Sequence, residues 1–173
     1  MKLARTIRFD ESDGLVFDRA AESGEWAISG AFAFSHLEEG DLTGKTRQAF
    51  RNGWLSLESW GRATFVAVAV VEQAEIDALT MALAAHFVGA WGAPSLEQAL
   101  PVAEAEMAHM LELCDEHRPN TLIAVERNLE EAGIRESFRI IAPQEAGVAD
   151  VLGPMADHAI AMSRVAEGGD PEG

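Results

Sequence analysis

Tyrosine is missing from the 173 residues, and cysteine occurs once, as Cys114. A lone thiol closes no internal disulfide, so the chain is not a stapled secreted scaffold, and its cysteine usage fits a reducing compartment. Basic residues are scarce: 13 Lys and Arg stand against 29 Asp and Glu, for a formal net charge of −16. A duplex phosphate array would repel such a chain, and no nucleic-acid partner is expected. Long hydrophobic runs are lacking too. The most apolar window, residues 63–91, is broken by Glu72, Glu75 and Asp77, which argues against a membrane span. No apolar run of secretory length follows Lys2, Arg5 and Arg8. The expectation is a cytoplasmic protein with no membrane partner.

Catalytic signatures are equally sparse. There is no Gly-x-Ser-x-Gly elbow and no His-Glu-x-x-His helix. Gly40-Asp-Leu-Thr-Gly44-Lys45-Thr46 has the look of a phosphate loop, but its spacing is wrong. That loop needs a glycine five positions before Gly44, where the chain has Glu39, and Glu38 and Asp41 would repel a triphosphate. His36, His86 and His158 are isolated. No catalytic residue and no cofactor are assigned, and a protein that is not an enzyme is favoured.

What the chain does contain is the material of one α+β domain. The apolar share is 48% and the charged share 24%, ordinary values for a globular core. Thr64-Phe-Val-Ala-Val-Ala-Val-Val71 is apolar at alternate positions on both sides, so a strand here is covered on both faces and sits centrally in a sheet. Strands are expected at 2–9, 15–17 (paired in a hairpin through the turn Ser12-Asp13-Gly14), 25–34, 121–128 and 134–141. The last two form a hairpin over a five-residue connection closed by Gly133. In 25–34, Gly30 marks a bulge or a close backbone approach. A short helix is expected from Thr43 to Asn52, stopped by Gly53. Residues 54–61 have no clear period. Helical spacing predicts helices over 73–88 and 95–117. Ser95 and Gln98 have capping-box spacing, and Pro101 implies a kink or a second segment. Together these predict an antiparallel sheet of about five strands, with the two long helices packed on one face. The domain is placed at 1–143, a C-terminal helical segment at 144–166 and a disordered tail at 167–173.

Two clusters are candidate sites. Lys45, Arg47, Arg51 and Arg62 are cations grouped in an acidic chain, with Trp54 and Trp60 among them. Guanidinium and indole groups together hold carboxylates or phosphates, so Arg47, Arg51, Arg62, Trp54 and Trp60 are a candidate pocket for a small anionic molecule, in an enzyme or a sensor. A solvated helix face beside two core tryptophans explains the same residues. Glu106, His109, Cys114 and His117 are the grouped metal-ligand types. One helix does not converge four ligands, and Cys114 reads equally as a small buried apolar residue.

Charge is unevenly spread. Residues 63–117 hold nine acidic groups and no Lys or Arg. That block attracts a basic or mixed-charge protein partner. The leading expectation is therefore a non-catalytic acidic binding or accessory protein, acting as a homodimer. Four stretches, Leu3-Ala-Arg-Thr-Ile-Arg8, Gly24-Glu-Trp-Ala-Ile-Ser-Gly-Ala-Phe-Ala-Phe34, Leu42-Thr-Gly-Lys-Thr-Arg-Gln-Ala-Phe-Arg51 and Ile134-Arg-Glu-Ser-Phe-Arg139, resemble a family of small uncharacterised bacterial proteins, a domain of unknown function. The resemblance spans most of residues 1–143 and implies no activity or catalytic residue.

Overall fold

The computed structural model describes residues 1–9 and 11–141. In chain order the elements are β1 (Lys2–Ile7), α1 (Ser12–Val16), β2 (Trp26–Ile28), α2 (Gly44–Asn52), β3 (Trp54–Ser56), β4 (Arg62–Ala63), β5 (Phe65–Val70), α3 (Gln73–Trp91), α4 (Leu96–Asp115), β6 (Leu122–Glu130) and β7 (Gly133–Ile141). Short 3-10 turns lie at Ala31–Phe34 and Glu39–Asp41. The strands form one sheet in the order β4-β3-β2-β1-β5-β6-β7, and every neighbouring pair is antiparallel. The α+β class is as expected. The strand number is seven where about five were expected, because the aperiodic stretch after Gly53 supplies β3 and, past a turn, β4. Both strands are too short to show an alternation.

Two local expectations need correction. Leu15-Val16-Phe17 is not a hairpin strand: Ser12–Val16 is a helical turn that buries Asp13. The Asp13 carboxylate accepts from Thr64 Oγ1 at 2.8 Å and from Thr64 N at 3.3 Å, so the turn is pinned to the residue just before β5. The strand expected over 25–34 stops at Ile28. At Gly30 the backbone takes φ +77°, and a Cβ there would lie 2.5 Å from Leu55 Cβ. The close approach bends the chain out of the sheet and into the 3-10 turn that follows.

The other elements differ mainly at their ends. α3 runs through Gly89 to Trp91 and stops at Gly92, which takes the left-handed φ of +77°. Its N-terminus carries a reciprocal capping box between Glu72 and Glu75. Ser95 Oγ accepts from Gln98 N at 3.1 Å to start α4. α4 continues past Pro101 as one helix, so the second-segment reading fails. β6 and β7 are joined by Glu131 and Ala132 alone, because pairing extends to Glu130 opposite Gly133. The expected C-terminal helical segment and tail, 144–166 and 167–173, lie outside the described residues.

β5 is paired on both edges, to β1 and to β6, so it is central in the sheet; Val66 and Val68 enter the main core, and Ala67 packs with Leu122 and Ile141 in a second, smaller cluster. α4 packs on β1 and β2, and α3 packs on α4. Leu83, Ala84 and Phe87 of α3 join Ala103, Met107, Met110 and Cys114 of α4, and Val66, Val68, Ile123 and Val125 of the sheet, in one core. Each such Leu, Ile, Val or Met contributes about 1.5–3 kcal/mol by leaving water. Lys2 Nζ donates to the Asp115 and His117 carbonyls at 3.3 and 2.8 Å. The first strand thus places a cation at the C-terminal end of α4, where the helix dipole favours one.

Candidate functional site

The structure gives four residues of the candidate anion pocket, Arg51, Arg62, Trp54 and Trp60, different partners. Arg62 is buried; its Nη1 donates to Gly53 O at 3.0 Å and its Nη2 to Gly30 O at 3.4 Å. Burial, with the charge of Arg127 added, pushes its pKa down to about 9, against a smaller opposing pull from Glu136. Arg62 therefore remains a cation at neutral pH. Arg51 is half-buried and pairs with Glu126 at 3.4 Å. Arg47 and Lys45 are exposed on α2. Trp54 is fully buried and stacks on Phe138 with ring centroids 5.6 Å apart. Trp60, at φ +62°, lies flat on His86 at 3.7 Å. Burial lowers the His86 pKa, which favours the neutral form of the stacked ring.

The charged group at the centre of this region is Arg127, which the sequence reading passed over. β6 pairs with β5 only over Leu122–Ala124, and α2 lies along the edge that remains. Asn52 Nδ2 donates to Val125 O at 3.1 Å. Arg127 is fully buried, and its Nη1 donates to Phe50 O at 2.8 Å, Gly53 O at 3.0 Å and Ala49 O at 3.3 Å. Its Nη2 donates to Ser29 O, and its Nε pairs with Glu136 at 2.8 Å. Arg62 and Arg127 thus both donate to Gly53 O and tie the end of α2 to the turn after β2. One signal in the sequence could have found Arg127: it occupies the same parity as Ile123 and Val125, the core-facing positions of the strand.

The metal-ligand candidates are also dispersed. Glu106 is half-buried near Glu136 and His109. Its pKa is raised by burial first and by the Glu136 charge second, with His109 pulling the other way. His109 is exposed, its ring 6.1 Å from that of Phe138. Cys114 is fully buried, and burial pushes its thiol up to about 12. His117 N donates to Cys114 O at 3.1 Å. Among the described residues no group of three or more His, Cys, Asp or Glu could hold a metal ion.

The outer surface of the helical pair has a different character. From Ala78 to Trp91, α3 carries no Asp, Glu, Lys or Arg, yet Ala78, Met81, Ala82, Ala85, Val88 and Gly89 are exposed. The exposed face of α4 carries Glu97, Glu104, Glu112 and Asp115, and Glu116 follows at its C-cap. Among the described residues none of these five carboxylates takes part in an ion pair. The helices thus present an uncharged apolar strip and an acid-only face. No helix among the described residues is long and apolar enough to cross a membrane.

A model described as "Family of unknown function (DUF6505)" matches residues 1–159, which reaches past the boundary expected at residue 143. No curated protein and no solved structure matches the chain.

Proposed function

The chain belongs to DUF6505, a family of unknown function, and we propose that it works without catalysis, as a binding protein that receives a positively charged protein segment on the acid-only face of α4. One observation supports this reading most directly. Glu97, Glu104, Glu112, Asp115 and Glu116 are exposed on or beside a single helix, no Lys or Arg occurs between residues 63 and 117, and Lys2 reaches only the C-terminal end of that helix, beside Asp115. Like charges on one face repel, and a cationic partner relieves that repulsion while gaining its own attraction. The helix itself is rigidly mounted, with Ala103, Met107, Met110 and Cys114 in the core. The carboxylates are therefore held in a fixed pattern, which favours one spacing of cations over another.

The test uses a fluorescent Lys- and Arg-rich helical peptide, titrated with the full chain at low and at physiological salt. Binding should weaken as salt rises, since exposed charges are screened beyond about 8 Å at 0.15 M. The double variant Glu104→Lys, Glu112→Lys should lose at least about tenfold in affinity. A control with the same net charge, Glu39→Lys with Glu131→Lys, changes exposed acids elsewhere and should lose much less. Equal losses in the two variants would mean that overall charge, and not the α4 face, attracts the peptide, and the reading would fall.

A further inference from the structure

The strip on α3 asks for its own explanation, because water is a poor neighbour for it. A helix that is apolar on every side is normally covered on every side. α3 covers one side with Ile76, Leu83, Ala84 and Phe87. Its other side leaves Met81 at 44% and Val88 at 37% exposure, with Ala78, Ala82, Ala85 and Gly89 open around them.

Charge narrows the choice of occupant. A basic segment would find no carboxylate on α3 between Asp77 and Gly92. A second copy of this chain carries −16 and is repelled wherever carboxylates meet carboxylates. The uncharged strip is where two copies approach with the least repulsion. Shape points the same way. Met81 and Val88 stand one heptad apart, and Ala78, Ala82, Ala85 and Gly89 lie low beside them at steps of four, three and four residues. A two-fold axis sets the raised residues of each helix into the low positions of the other, and a surface that complements itself is what such an axis requires.

We infer that α3 is the contact of a symmetric homodimer, made by Met81, Ala82, Ala85 and Val88 against the same residues of a second copy. The inference goes beyond the α4 reading and does not depend on it: the α4 face stays outside the contact and is present twice in the dimer.

The experiment is native mass spectrometry and light scattering on the full chain over the micromolar range, beside the Ala85→Glu variant. The wild-type chain should be dimeric. Ala85 is exposed on the helix, so glutamate there leaves the far-ultraviolet circular dichroism unchanged. The symmetry buries two unpaired charges, and the dimer Kd should rise at least about a hundredfold. As a second probe, Ala85→Cys should cross-link to the same residue of another copy through a short bis-maleimide. The buried Cys114 stays silent. A monomeric wild-type chain overturns the inference. So does a dimer that Ala85→Glu leaves intact, or an Ala85→Cys chain that gives no cross-linked pair of copies.

Discussion

Replacing Arg127 with methionine should remove the strongest polar anchor in the domain. The side chain is fully buried, and it serves four backbone carbonyls and the Glu136 carboxylate. Methionine fills much of the same volume, so the cavity left behind is small. The loss is electrostatic: the carbonyls of Ser29, Phe50 and Ala49 lose this donor, Gly53 O keeps only Arg62, and Glu136, with its side chain 17% exposed, loses its cation. Breaking a buried pair by removing one partner costs about 3–5 kcal/mol. Hydrogen bonds from a charged donor are worth about 1.5–3 kcal/mol each, but they do not add when one group makes them all. A loss of about 3–5 kcal/mol is therefore expected, against a total stability of about 5–15 kcal/mol. In a melt this corresponds to about 6–20 °C. Urea unfolding followed by circular dichroism measures it, and the m-value should stay the same if the fold is retained. The double variant Arg127→Met, Glu136→Leu should recover part of the loss, because two apolar groups replace a pair whose desolvation was costly. A single-variant effect under about 1 kcal/mol would refute the reasoning, since it would mean that water or neighbouring donors replace the guanidinium without penalty.

Glu106 gives a pH-dependent prediction. Its folded pKa lies above 4.5, with burial the first cause and Glu136 the second. The folded state therefore holds this proton to higher pH than the unfolded state does, and its contribution to stability is present at low pH and lost as pH rises through 4.5 and the raised folded value. Relative to wild type, Glu106→Gln should gain stability between about pH 4 and pH 7; urea midpoints across that range give the difference, and a constant difference would exclude the shift. Cys114, with its thiol pushed up to about 12 in the core, should resist maleimide and disulfide reagents in the native protein and react fully in urea. Rapid labelling of the native chain would show that α4 opens at its C-terminal end.

Much of the frame was legible because it rests on period and punctuation. The two-sided apolar run of β5, the stripes of α3 and α4, the Ser95 cap and the hairpin around Gly133 are all local patterns, and local patterns are written in adjacent residues. The strand expected over 25–34 went astray for a tertiary reason. Its alternation continues smoothly past Ile28, and only the arrival of Leu55 against Gly30 bends the chain away. The candidate sites show the same division. Arg62, Trp54 and Trp60 are near neighbours in sequence, yet one is anchored on Gly53 and Gly30 carbonyls, one on Phe138 and one on His86.

By itself the sequence determined the class of fold, the positions of its long helices and the placing of nine carboxylates and no Lys or Arg between residues 63 and 117. Periodicity and charge count do not depend on what the chain later touches. Only the tertiary structure decided which cations became internal. Arg127 reaches Ser29 and Gly53 across 98 and 74 positions of the chain, and no local pattern records a partner at that distance. It also decided which apolar residues stayed outside, because a helix that is apolar all round does not say which of its faces the neighbouring helix will leave uncovered.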